Sequence, residues 1–186
     1  MKKVNLRKLT LAALFAAIAV VGSMFSIPVF GSKCAPIQHL VNVLCAIFLG
    51  PWYGLACAFV ASLIRNFLGL GTLLAFPGSM CGALLSGILY KLLSKRWAAY
   101  VGEVAGTSVI GGMLAYPIAA LVLGNAEATL FTFVVPFLIS TVGGSILAAI
   151  ICEIMAKSGL LTQLKSQLEE EETYGDKDLK TVRNNR

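Results

Sequence analysis

The stretch Lys33-Cys34-Ala35-Pro36-Ile37-Gln38-His39-Leu40-Val41-Asn42 gathers a cation, two amides and the only histidine of the chain. Gln38 and Asn42 lie four apart, so on a helix they share a face, with His39 one step round from them. A second polar group, Ser62, Arg65 and Asn66, lies further along. Amides and an imidazole supply donors and acceptors without a fixed charge. That chemistry suits a small, neutral, hydrogen-bonding heterocycle better than a strong anion or a metal. With one histidine, scattered cysteines and no cluster of outer carboxylates, a metal site is not expected. Nor does the sequence call for a cofactor.

Each residue also has a plainer reading. Lys33 and Arg65, taken singly, read equally well as anchors reaching lipid headgroups. A lone interfacial histidine needs no role at all. The argument for a site rests on Gln38, His39 and Asn42 together, opposite Arg65-Asn66.

These residues must be positioned within a bilayer. The chain has 186 residues, 58% hydrophobic and 13% charged, with mean hydropathy +0.83. Soluble domains carry about a quarter charged residues. Charge-free runs separate Lys8 from Lys33, Lys33 from Arg65, Arg65 from Lys91, Glu103 from Glu127 and Glu127 from Glu153. Each can hold a span of about 20 residues. The expected fold is an all-α integral membrane bundle of six transmembrane helices: Leu9–Ile27, Ile37–Leu49, Trp52–Phe67, Leu73–Leu93, Ala99–Leu123 and Ala128–Ala156. The second and third are short, so they are expected to be tilted or partly re-entrant. The basic N-terminus followed by an apolar run resembles a signal peptide, but the run is longer than the usual h-region of about 7–15 residues. It is read as a retained first helix.

Basic residues set the orientation. With the N-terminus inside, Lys2, Lys3, Arg7, Lys8, Lys91, Lys95, Arg96, Lys157 and Lys165 are cytoplasmic, and only Lys33 and Arg65 lie outside. Both termini are then cytoplasmic. Residues 1–157 form the membrane domain. Residues 158–186, with Glu169-Glu170-Glu171-Glu172, form a charged cytoplasmic tail expected to be disordered, helical at most near Leu161–Leu168.

Small residues mark the packing seams. Ala12/Ala16 and Ala13/Ala17 make paired faces on the first helix. One pair can serve the bundle and leave the other smooth for a partner. Gly78-Gly82-Ser86, Ser79-Ala83-Gly87 and Ser140-Gly144-Ala148 read as seams inside the bundle. Pro77 is expected to break the start of the fourth helix. Pro117 beside Tyr116, and Pro136 among Phe131, Phe133 and Phe137, free carbonyls at the depth of the amide cluster. Tyr116 and the phenylalanines would form a stacking wall facing the hydrogen-bonding one. Of the five cysteines, Cys34 alone is expected outside the spans and reactive. Glu103 and Glu153 are placed near the inner ends and Glu127 in an outer loop, so no proton-coupling network and no acid–base pair at one depth is expected. No Gly-x-x-x-x-Gly-Lys-Ser/Thr loop occurs, so the chain lacks that means of using ATP. It has a pocket and no motor.

The chain resembles the substrate-binding S components of energy-coupling-factor transporters. More specifically, Lys33-Cys34-Ala35-Pro36-Ile37-Gln38-His39, Asn42, Gly50-Pro51-Trp52-Tyr53-Gly54, Ser62-Leu63-Ile64-Arg65-Asn66, Gly71-Thr72-Leu73-Leu74-Ala75-Phe76-Pro77-Gly78-Ser79-Met80 and Gly82-Ala83 are similar to the ThiW family over residues 5–157. The resemblance implies a plasma-membrane component for uptake of a thiamine precursor, hydroxyethylthiazole. It implies a transmembrane T protein and two cytoplasmic ATPases as partners, with Ala12, Ala13, Ala16 and Ala17 docking on the T protein. The residues alone leave open an S component for a pyrimidine, thiamine or a flavin, an intramembrane enzyme, or a ligand-free structural subunit. Candidate ligand contacts are Gln38, His39, Asn42, Arg65, Asn66, Tyr116 and Lys33, with no catalytic residue and no nucleic-acid partner.

Overall fold

A computed structural model describes residues 5–29 and 32–170. Helix α1 covers Leu6–Gly22 and tightens into a 3₁₀ turn over Ser23–Phe25. Its N-cap is Asn5, whose side chain accepts the Lys8 amide at 3.0 Å and satisfies one of the unpaired N–H groups of the first turn. A short antiparallel hairpin follows, β1 (Ile27–Val29) with β2 (Ser32–Cys34), pairing Ile27 with Cys34 and Pro28 with Lys33. This hairpin was not foreseen, because two three-residue strands carry too little alternation to stand out among apolar residues.

Helices α2 (Pro36–Phe48) and α3 (Pro51–Phe67) both begin on proline, which fixes φ and needs no N–H partner in a first turn. Between them Gly50 takes φ 85°, a left-handed turn that reverses the chain. Helix α4 covers Ala75–Leu93. Pro77 does not break it: the proline falls in the first turn, where its missing N–H has no intrahelical partner to lose.

Helix α5 is continuous over Arg96–Val122, with wider π segments at Gly106–Gly111 and Ile118–Val122. The second π segment follows directly on Pro117, which removes one hydrogen bond from the helical ladder. Helix α6, Val134–Lys157, starts later than expected because residues 129–133 turn before it.

Among the described residues, four helices are long and apolar enough to cross a bilayer: Leu6–Phe25, Ala75–Leu93, Arg96–Val122 and Val134–Lys157. The chain is a helical membrane protein. At 13 and 17 residues, α2 and α3 reach only about 20 and 26 Å at 1.5 Å per residue. The shortness expected of them is present.

Helix α2 is the centre of the bundle, touching α1, α3, α4, α5 and α6. Val41, Val43, Cys45, Ala46 and Ile47 are buried on every side of it. Helices α4 and α5 cross at backbone distance: a Cβ at Gly106 would lie 2.6 Å from the Cys81 carbonyl, and one at Gly111 2.5 Å from the Gly78 Cα. The Gly78-Gly82-Ser86 row is therefore a seam within the bundle.

The alanines of α1 divide. Ala12 and Ala16 are buried, with the Ala12 carbonyl accepting the Cys57 thiol at 3.6 Å, while Ala13 and Ala17 are exposed. Beyond Gly159, residues 160–170 form a further helix, α7, longer than the segment expected to be helical. Leu161, Leu164 and Leu168, spaced for one helix face, pack against the core cluster that includes Ala12, Phe15 and Ala16. Asn5 donates to the Leu168 carbonyl at 3.2 Å and Lys165 to the Tyr90 hydroxyl. The tail therefore begins as a docked helix; the rest of it, 171–186, lies outside the described residues. These contacts hold the start of α1 and helix α7 together at one end of the bundle, with the hairpin at the other.

Candidate ligand site

At the hairpin end, a run of hydrogen bonds crosses four helices. Arg65 (α3) donates from Nη1 to Gln38 Oε1 at 3.1 Å. Gln38 (α2) donates to Asn42 Oδ1 at 3.3 Å. Asn42 then donates to the Ser79 carbonyl (α4) at 3.2 Å and to Glu103 Oε1 (α5) at 3.0 Å. Glu103 Oε1 also accepts from Thr107 at 3.0 Å and lies 2.8 Å from His39 Nδ1. A carboxylate oxygen accepts, so in this contact the imidazole donates from Nδ1, and Nε2 is the ring nitrogen left for another partner. Gln38, His39, Asn42, Arg65 and Glu103 are all buried. So many polar groups out of water must largely satisfy one another, and in this network Arg65 Nε and Glu103 Oε2 are the buried atoms left without a hydrogen-bond partner among the described residues.

Glu103 is the residue that sequence reading placed wrongly. Its neighbours Arg96, Trp97 and Tyr100 look interfacial, but α5 begins at Arg96, so Glu103 lies seven residues in. At 1.5 Å per residue that is about 10 Å, two helical turns. Its carboxylate occupies the space that Gly82 leaves open: a Cβ there would sit 2.8 Å from Oε2 and 2.0 Å from Thr107 Oγ1. The expectation of no acid–base pair at one depth fails with this residue, as does the idea of a site without fixed charge. The signal that could have found it was the row Gly82, Gly102 and Gly106, which brings α5 against α4 beside a lone carboxylate.

A cavity of about 40 Å³ lies above this network, lined by Gln38, His39, Arg65, Ser79, Thr107 and Phe137, with Lys33 and Ser140 among the remaining walls. That is room for about three waters. Phe137 lies flat on Gly78, where a Cβ would meet its ring at 2.9 Å, and stacks obliquely on Phe133 at 6.2 Å. One of the expected stacking residues is therefore in place.

The hairpin and the α3–α4 loop meet at the mouth of the cavity, which stays partly open. Lys33 Nζ donates to the Gly69 carbonyl at 3.2 Å, joining the two. The Ala35 amide donates to Ser140 Oγ at 3.0 Å and the Cys34 thiol to the Pro136 carbonyl at 3.4 Å, pinning the hairpin's return to α6. Cys34 is thus buried, not exposed and reactive: burial pushes its thiol pKa above the usual value, against a smaller opposite effect from Ser140.

Of the residues singled out from sequence, Gln38, His39, Arg65 and Lys33 line the cavity. Asn42 sits beneath it and holds Gln38 and Glu103 in place. Asn66 turns away, donating to the Ser62 and Thr72 carbonyls and so shaping the loop. Tyr116 is not in the lining; it packs against the cluster of Leu74, Ala115, Ala119, Phe133 and Phe137, behind the Phe137 wall. Arg65 is no headgroup anchor, since it is only 3% exposed. Thr107, Ser79, Ser140 and Phe137 complete the walls, and hydroxyls of that kind leave no mark in a sequence rich in small residues.

The family model described as "Thiamine-precursor transporter protein (ThiW)" matches residues 9–158. This chain belongs to the ThiW family. No curated protein and no solved structure matches it. Membership in ThiW makes the chain one of a family of thiamine-precursor transporters, so a small molecule is what the protein has to admit. The His39–Glu103 pair lies inside a member of a transporter family.

Proposed function

We propose that the chain is the substrate-capture (S) component of an energy-coupling-factor importer, and that it takes up hydroxyethylthiazole. In this reading six helices span the plasma membrane with both termini cytoplasmic. Lys91, Lys95, Arg96, Lys157 and Lys165 cluster at the end of the bundle that carries the termini, against Lys33 and Arg65 at the hairpin end. A transmembrane T protein and two ATPases supply the energy, in keeping with the absence of a phosphate-binding loop from the sequence. The exposed Ala13/Ala17 face of α1 is the smooth surface for the T protein, with Ala12 and Ala16 holding α1 to the bundle.

The observation that carries the reading is the cavity itself: polar on the Gln38–His39–Arg65 side, aromatic at Phe137, and roofed by a hairpin and a loop. The azole ring lies against Phe137. The hydroxyethyl arm donates to His39 Nε2, and Gln38 addresses the ring nitrogen. Asn42 and Glu103 act beneath as positioning residues. Because the cavity is only about 40 Å³, the Lys33–Gly69 contact opens when ligand enters.

Titration of the purified protein with hydroxyethylthiazole tests this. Saturable binding is expected. Gln38→Ala removes one or two hydrogen bonds, about 1–3 kcal/mol, and so weakens binding about 5- to 150-fold. Unchanged affinity in Gln38→Ala and Asn42→Ala would remove the site assignment.

A further inference from the structure

Arg65 carries a charge that nothing beside it neutralises. It is 3% exposed and its Nη1 goes to the neutral amide oxygen of Gln38, yet its Nε has no hydrogen-bond partner. No carboxylate lies within ion-pair distance of it among the described residues. Glu103 does not serve. Its Oε1 is taken by His39, Asn42 and Thr107, and its Oε2 faces Gly82 on α4. Lys33, the other cation of the cavity wall, is held only by the Gly69 carbonyl. The cavity wall therefore presents two cationic side chains, Lys33 and Arg65, while the nearest carboxylate, Glu103, is turned to His39, Asn42 and Thr107. A buried guanidinium without a counter-charge is costly, and it persists where a ligand completes it.

We infer that Arg65, with Lys33 at the mouth, forms an anion-accepting subsite, so that the preferred ligand is a heteroaromatic bearing a phosphate ester or a carboxylate. The inference rests on the capture reading and narrows its substrate class. A planar guanidinium with Nε and Nη donors matches such a group two bonds at a time. Serine hydroxyls at Ser79 and Ser140 stand in the same wall. A phospholipid headgroup shares this chemistry. The subsite is assigned to a soluble ligand because Arg65 lines an interior cavity instead of the lipid-facing surface.

The test is a titration of the full chain, purified in phospholipid-free maltoside detergent, at constant ionic strength. The ligands are hydroxyethylthiazole, its phosphate ester and a thiazole carboxylate. The inference expects the ester or the carboxylate to bind about tenfold or more tighter than the alcohol, the difference between a charge-assisted and a neutral pairing. Equal or weaker binding of both anions, with the alcohol still bound, overturns the subsite and leaves the capture reading standing. Binding of none of the three overturns both.

Arg65→Met removes the preference for anions with little change in the melting temperature of the unliganded protein, because removing an uncompensated charge offsets the lost bond to Gln38 Oε1. A large fall in melting temperature would mark Arg65 as a structural strut and contradict the assignment. Arg65→Lys keeps the charge and part of the preference. Lys33→Gln, at an exposed position, loses a smaller part and tests the subsite even if position 65 tolerates no change. Displacement of the ester by phosphatidylglycerol added to the micelle would assign the subsite to lipid and overturn the proposal.

Discussion

Replacing Glu103 by alanine removes the acceptor on which three buried donors converge: His39 Nδ1 at 2.8 Å, Asn42 Nδ2 at 3.0 Å and Thr107 Oγ1 at 3.0 Å. Asn42 keeps the Ser79 carbonyl, so two donors are stranded. At about 1–3 kcal/mol for each buried unsatisfied group the loss is about 2–6 kcal/mol. That range brackets the roughly 3–5 kcal/mol typical of removing one partner of a buried pair. A loss near 4 kcal/mol corresponds to a fall of about 8–16 °C in melting temperature for a chain of this size. Glu103→Gln retains one acceptor oxygen for the same donors and gives up only the charge, so less than half that fall is expected. The assay is thermal unfolding of the purified protein in detergent, followed by tryptophan fluorescence, alongside ligand titration. Because His39 loses its orientation, binding weakens in Glu103→Ala. An alanine variant that melts with the wild type would refute the reasoning, since the network would then hold nothing together.

Three further outcomes follow from the packing. The Cys34 thiol, buried under the hairpin with its pKa raised, carries little thiolate at neutral pH; maleimide labelling is expected to be slow at pH 7 and to quicken as pH rises toward that pKa, and rapid labelling at pH 7 would show the hairpin open. Gly144→Ala would place a Cβ 2.3 Å from the Pro36 carbonyl and 2.5 Å from His39 Cβ, an overpacking cost of about 1–3 kcal/mol read as a lower melting temperature with weaker binding. Ala13→Trp or Ala17→Trp, on the exposed face of α1, should leave folding and ligand binding intact and reduce uptake with the proposed T protein and ATPases, whereas Ala16→Trp, at a buried position, should destabilise the protein itself; equal effects at positions 13 and 16 would contradict the division of the two faces.

Much of the helical frame was legible because charge and hydropathy alternate in blocks along the chain. The helices expected from Ile37 and Trp52 begin one residue earlier, on Pro36 and Pro51, and Gly50-Pro51 marked the break between them. Gln38, His39 and Asn42, expected on one helix, do share α2, and Arg65 reaches Gln38 from α3. What remained hidden depended on the pairing of distant elements. Glu103 is a single carboxylate two turns from a cluster of interfacial residues, and only the close crossing of α4 and α5 brings it under His39. Tyr116 shares a helix with Glu103 but packs against a different cluster, a difference set by helix rotation and by the π segments at Gly106–Gly111 and Ile118–Val122. Leu161–Leu168 was expected to be helical at most, but its docking was not legible: Leu161, Leu164 and Leu168 acquire meaning only once α1 offers them a surface.

A structure of the protein solved with hydroxyethylthiazole bound tests the central claim most directly. The ring is expected against Phe137, within hydrogen-bonding distance of Gln38 and His39 and beneath a displaced Lys33–Gly69 contact. Ligand seated elsewhere, with the Gln38–His39–Arg65 cavity unchanged at saturating concentration, would contradict it.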